Sequence, residues 1–351
     1  MRGNRRTIFS FVLLILVILV LAVLMVRNRA NTINSFTEIA NNIYVVDYSA
    51  DYELDEVLRS GIYSEEQLNS FLSESIYFSK LIATGLPELG CGAFAARNYN
   101  KQTIAGRNVD GKDTAAIVYN IIPRSGYRSI AVATANSVNM SGSQLSKSNF
   151  SDKLSLLSLP YLAIDGINEK GVFVTLVSTS SKNHPDIKES DKTPIMPAVA
   201  MRAILDKCAN VDEAKLFLRK YDMTFSDGKY YDIFIADKSN DSVLADYCSG
   251  KLIFRETNKA VDKLTADNKV RYDYMEEDFR KSRGLLSDSS GMFLLSNLRK
   301  DETSDMPTRW STLYNLNEKC VYISTNGNFK NAAKVKMKNK KESDDLIVPQ
   351  F

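Results

Sequence analysis

An apolar run dominates the start of this chain. It extends from Ile8 to Val26, interrupted only at Ser10, with Arg2, Arg5 and Arg6 ahead of it. At ~1.5 Å rise per residue, about nineteen helical residues almost cross a hydrocarbon core of ~30 Å. The basic residues before the run predict a cytoplasmic N-terminus (1–7) and an exported remainder. A cleaved signal peptide would carry a shorter apolar region, about 7–15 residues, with a small-x-small site behind it. Val26-Arg27-Asn28-Arg29 follows instead, which favours an uncleaved transmembrane anchor over residues 8–26.

Beyond the run the pattern changes repeatedly. Residues 27–40 read as a short polar stalk, and Ile43 to Tyr48 predicts a strand. Glu53 to Leu58 and Glu65 to Ile82 carry apolar residues at three- and four-residue spacing, as amphipathic helices require. Gly85, Pro87 and Gly90 then punctuate the chain. Strands are predicted for Gly92 to Arg97 and Thr103 to Asn108, and for Ala115 to Ile122 and Ser129 to Thr134. Tyr161 to Asp165 and Val172 to Ser178 flank Gly166-Ile167-Asn168-Glu169-Lys170-Gly171, a hairpin signal. Helices follow at Ile195 to Asp206 and Val211 to Tyr221. Three strands come next, Tyr231 to Ala236, Ser242 to Tyr247 and Lys251 to Arg255. Val270 to Arg283 and Ser290 to Leu298 read as helices, and Trp310 to Asn315 with Cys320 to Ser324 as a last hairpin. Blocks of strands alternating with blocks of helices predict antiparallel sheets with helices outside them, not βαβ units.

Charge and composition narrow the function. Lys and Arg number 45 against 42 Asp and Glu, a net charge of +3 that is spread along the chain. No nucleic-acid footprint appears, and the lysines from Lys334 to Lys341 read as a solvated strand and tail. There is no phosphate loop and no dinucleotide fingerprint. A single histidine, His184, sits in a polar loop before Pro185, and the cysteines form no CxxC, so a catalytic zinc site is a poor fit and neither metal nor cofactor is expected. Four cysteines in an exported chain suffice for two disulfides. Cys208, Cys248 and Cys320 are equally readable as buried small hydrophobes.

Cys91 is the exception. It stands between Gly90 and Gly92, and Gly106-Arg107-Asn108-Val109-Asp110 follows. With one histidine in the chain, a nucleophilic cysteine lacks the usual imidazole base. Its own α-amine, freed by cleavage between Gly90 and Cys91, supplies one: such an amine titrates at roughly 7.7–8.0 and is substantially neutral near physiological pH.

These segments resemble the choloylglycine hydrolase family of N-terminal-nucleophile hydrolases, which includes bile salt hydrolases, penicillin V acylases and, more distantly, acid ceramidase-like amidases. The string Cys91-Gly92-Ala93-Phe94, the Gly-Arg-Asn-x-Asp string at Gly106–Asp110 and the hairpin Asp165-Gly166-Ile167-Asn168-Glu169-Lys170-Gly171 carry the resemblance, which covers roughly Cys91 to Met337. It implies an α+β fold, a four-layer αββα sandwich of antiparallel sheets over 91–351, with 27–90 as stalk and helical pro-segment. It also implies roles. Cys91 would attack an amide carbonyl, Arg107 would lower the thiol pKa as a fixed cation, and Asp110 would orient the α-amine. Arg271 falls near the position of a second family arginine, and is equally readable as a structural arginine.

Two departures concern the oxyanion hole. Where the family has an asparagine beyond the hairpin, this chain has Ser178. The later Thr-Asn pair is missing, and Val261-Asp262-Lys263-Leu264 stands there, with Lys263 as the candidate replacement donor. Losing one such donor costs roughly 10²–10³ in rate. The apolar run and the resemblance together predict a membrane-anchored, extracytoplasmic hydrolase of a linear amide: the run supplies the lipid bilayer as a partner, and the resemblance implies a small-molecule amide substrate. A catalytically impaired surface-binding protein of the same fold, or an acyltransferase using the same site, are the competing expectations.

Overall fold

A computed structural model describes residues 2–77, 84–87, 90–112, 115–140, 147–179, 191–225, 229–248, 250–256, 260–262 and 266–339. The apolar run lies within helix α1 (Arg2–Asn34). Its segment Ile8–Asn34 is long and apolar enough to cross a membrane, with a mean hydropathy of 3.4 and none of its most apolar window buried.

Residues 27–40 are not a free stalk. Helix α1 continues to Asn34 and strand β1 (Thr37–Ala40) follows. Arg29 and Thr32 tie this stretch to the folded body. Arg29 Nη2 donates to the Ser75 carbonyl at 2.6 Å. Thr32 Oγ1 accepts the Ser49 and Ala50 N–H groups at 2.9 and 3.1 Å. Ile33, next to Thr32, is buried.

Strand β2 (Ile43–Tyr48) is followed by α2 (Leu54–Ser60) and α3 (Glu65–Ser75), whose N-cap Ser64 accepts the Gln67 N–H. Next come β3 (Gly90–Arg97), β4 (Thr103–Asp110), β5 (Ala116–Ile121) and β6 (Ser129–Thr134). A ten-residue 3-10 segment, Asp152–Tyr161, occupies a stretch with no clear period. Then β7 (Asp165–Asn168), β8 (Val172–Thr179) and β9 (Thr193–Ile195) lead to α4 (Pro197–Lys207) and α5 (Val211–Leu218). Strands β10 (Tyr221–Met223), β11 (Tyr230–Asp237), β12 (Ser242–Cys248), β13 (Lys251–Glu256) and β14 (Ala260–Asp262) precede α6 (Ala266–Lys281) and α7 (Asp288–Asn297). The chain closes with β15 (Thr308–Asn315), β16 (Cys320–Thr325) and β17 (Ala333–Lys336).

Two large sheets result. One runs β1-β2-β5-β6-β7-β8-β11-β12-β13 and the other β14-β3-β4-β15-β16-β17, with β9 and β10 as a small parallel pair. Strand β3 of the second meets β8 of the first. Helix α4 packs on β7 and β8, while α6 packs on β14 and β3, and α7 on β4 and β15. The expected antiparallel pairing holds with one exception in the large sheets: β2 runs parallel to β5. The physical reason is the connection. After β2 the chain leaves for α2, α3 and the other sheet before returning as β5, and a long crossover permits parallel entry.

The Asp-Gly-x-Asn-Glu-Lys-Gly motif also differs from expectation. Tyr161 ends the 3-10 segment, and the motif's first four residues are themselves strand β7. Asn168 shapes the tight turn behind them: its Oδ1 accepts the Lys170 and Val172 N–H groups at 3.0 Å each. Its Nδ2 ties the turn to the end of α4, at 3.0 Å from the Leu205 carbonyl and 2.7 Å from that of Cys208.

Candidate active site

Strands β3 and β4 pair antiparallel with Gly90 opposite Asp110, Cys91 opposite Val109 and Ala93 opposite Arg107. Directly opposed residues share a face, and faces alternate along a strand. The packing follows that alternation. Ala93, Ala95, Ala105 and Val109 belong to the main core, and Phe94, Ala96 and Ile104 to a second one. Phe94 is why Gly106 is glycine, since a Cβ there would lie 2.5 Å from the ring. Cys91 therefore takes a register position on the face of Arg107. Asp110, three residues from Arg107, falls on the other face of β4.

The Arg107 side chain is fully buried and reaches across to the nine-stranded sheet. Its Nη1 donates to the Ile164 carbonyl and to Thr175 Oγ1, and lies 3.9 Å from Asp165 Oδ2. Asp165 in turn accepts from the Tyr314 hydroxyl and from Thr312 Oγ1 at 3.3 Å, both on β15. Burial pushes the Asp165 carboxyl up, while the Arg107 guanidinium and the two hydroxyls pull it back. Burial and the neighbouring Asp165 also push the Tyr314 phenol up, which keeps it a donor. Among the described residues Arg107 Nε and Nη2 have no hydrogen-bond partner. Two donors of a buried cation are thus available to a thiolate, a carbonyl or a carboxylate.

On the other face, Asp110 is buried and each of its oxygens accepts a hydrogen bond. Its Oδ2 accepts from Arg271 Nη1 on α6 at 2.7 Å and lies 4.0 Å from Lys300 Nζ, and its Oδ1 accepts from Thr308 Oγ1 at 2.6 Å. Arg271, loosely placed from sequence, is thus the ion-pair partner of Asp110. Asn108 holds β4 to its neighbours, donating to the Leu295 carbonyl at 3.0 Å and accepting from Ser311 at 2.6 Å. Ser178 is half-buried near the end of β8, opposite Tyr231. Lys263 and His184 lie outside the described residues.

Asp165, Thr175, Tyr314 and Thr308 were missed as site residues. Cys208 and Cys320 are free and buried. Two disulfides are therefore not formed, and burial pushes both thiols up to about 12, which leaves them unreactive. Among the described residues no group of three or more His, Cys, Asp or Glu is arranged to hold a metal ion.

Residues 162–277 match the family model of acyl-coenzyme A:6-aminopenicillanic acid acyl-transferase. The chain also shares its fold with a conjugated bile acid hydrolase from Clostridium perfringens, solved as two variants. Each gives a TM-score of 0.51 at 12% identity, over 74% of this chain and 97% of that one. The resemblance to the choloylglycine hydrolase family is borne out. A penicillin V acylase from Agrobacterium tumefaciens aligns at 16% identity over 67% of this chain and 83% of that one, with a TM-score of 0.45. A search of curated proteins finds no match. The region matching the family model contains Asp165 and Arg271 and begins after Cys91.

Proposed function

We propose that this chain is a membrane-anchored amidase of the N-terminal-nucleophile type, with its catalytic body outside the cytoplasm. The observation that carries the reading is Arg107: a fully buried guanidinium with two nitrogens unpartnered among the described residues, on the face where Cys91 has its register position. The variants of the bile acid hydrolase support it, since they alter a cysteine and an arginine sixteen positions apart, the separation of Cys91 and Arg107. The two sheets and their outer helices then form a four-layer αββα sandwich, with the site between the sheets.

Cleavage of Gly90–Cys91 frees the α-amine. That amine takes the thiol proton, and the sulfur attacks the amide carbonyl. As the C–N bond breaks, the amine returns the proton to the leaving nitrogen, and a thioester remains on Cys91. Water, activated by the same amine, releases the acid and restores the thiol. Arg107 favours the thiolate by its charge. Ser178 and Lys263 are the candidates for the oxyanion hole. The acyltransferase family match favours a second outcome for the same thioester, capture by an amine instead of water.

An electrophilic acyl or β-lactam probe tests the chemistry. The expected product is an adduct on Cys91, absent from Cys91→Ala, with no reaction at the buried Cys208 and Cys320 thiols. No adduct under any condition would contradict the enzyme and favour a binding protein. Added acceptor amines that yield transfer products would favour the acyltransferase.

A further inference from the structure

We infer that Thr308 is the positioning residue for Asp110, an inference that rests on the amidase reading above. Across the six-stranded sheet Gly90, Asp110 and Thr308 stand in one row, with Asp110 in the middle. Thr308 reaches that row only because β15 carries a bulge. The register passes from Asp110 opposite Thr308 to Val109 opposite Trp310, and Arg309 is the extra residue. Bulges of this sort re-aim a side chain at the end of a strand.

The Thr308 hydroxyl has its direction set on both sides. It accepts the Lys300 N–H at 2.8 Å, so its one proton is left for Asp110 Oδ1, at 2.6 Å. The Thr308 N–H returns to the Lys300 carbonyl at 3.0 Å, which closes the loop 301–307 into a fixed support. Thr308 itself is buried. With Oδ1 held by Thr308 and Oδ2 by Arg271, the carboxylate plane cannot turn. Asp110 stands opposite Gly90 on the neighbouring strand, beside the junction where the α-amine appears on cleavage, and its remaining lone pairs are the ones left to receive that amine. Arg309 is held away from this row: its Nε donates to the Gly111 carbonyl at 2.9 Å.

The test uses the full-length protein, with two readouts: the half-life of the Gly90–Cys91 bond and the rate of Cys91 acylation by p-nitrophenyl acetate. Thr308→Val should slow both at least about tenfold, as expected for loss of a hydrogen bond to a charged group. Thr308→Ser, which restores the hydroxyl, should return both to within about twofold of wild type. A purely structural role would move the melting temperature and not be rescued by serine in the rates. Should Thr308→Val fail to fold, Thr308→Ala removes the hydroxyl and is read in the same way. Wild-type rates in Thr308→Val or Thr308→Ala would overturn the role of Thr308 alone. A wild-type protein that neither cleaves nor acylates would overturn the amidase reading and Thr308 with it.

Discussion

Arg107→Met is expected to slow acylation of Cys91 by about 10²–10³, the loss typical of removing one preorganised electrostatic donor from a water-excluded site. The chain should still fold. Methionine fills much of the vacated volume, and although removing one partner of a buried pair costs about 3–5 kcal/mol, protonation of Asp165 removes the uncompensated charge. The pH dependence of stability separates this from simple damage. Burial already pushes the Asp165 carboxyl up, against Arg107, Tyr314 and Thr312. A carboxyl whose folded pKa is raised binds more protons folded than unfolded, so its contribution to stability falls as pH rises. In wild type that fall begins near the usual carboxylate value of about 4 and ends at the raised native value. Without the guanidinium the carboxyl rises further, so the fall should extend toward neutral pH. Urea melts across the acid range read this directly. Unchanged acylation, or a stability profile identical to wild type, would contradict the pairing of Arg107 with Asp165.

The second large effect concerns the 90 residues that precede Cys91. Residues 91–351 expressed alone are expected not to fold. Strand β2 lies inside the nine-stranded sheet between β1 and β5, and its Ile43, Tyr44, Val46 and Tyr48 side chains are almost completely buried. Burial of each such side chain is worth about 1.5–3 kcal/mol, so removing the group exceeds much of a typical stability of about 5–15 kcal/mol. Polar ties go with it. The Tyr48 hydroxyl donates to the Leu157 carbonyl at 2.7 Å, the Tyr52 hydroxyl to Asp206 at 2.5 Å, and Tyr161 to the Tyr52 carbonyl. The deletion would also expose β5 as a long apolar edge, which invites aggregation. Cleavage before Cys91 should therefore leave two fragments that separate only under denaturant, with the catalytic fragment remaining at the membrane in high salt. A soluble 91–351 fragment with a cooperative melt would contradict this.

How much of this was legible in the sequence depends on the range of the interaction. Elements with a strong local period, such as the β5 and β6 strands or the helices α4 and α7, were located to within a few residues. Their signals are the alternation and spacing of their own side chains. The docking of 27–40 was not legible, because Arg29 and Thr32 look like solvated polar residues until Ser75, Ser49 and Ala50 supply their partners. The same holds for the site. The spacing from Cys91 to Arg107 and Asp110 is local, and it falls on two strands that pair. That Arg107 and Asp110 serve opposite faces of β4 follows from the two-residue period of a strand, yet their counter-charges, Asp165 and Arg271, come from distant segments. Thr308 was hidden by its bulge, which pattern alone does not reveal.

The central claim is that Cys91 becomes an N-terminus. Intact mass and N-terminal sequencing of the full-length protein extracted from membranes, beside Cys91→Ala, test it most directly. The account predicts two fragments, the larger beginning at Cys91, and a single uncut chain in the variant. A wild-type chain that stays intact while its Cys91 is acylated would contradict it.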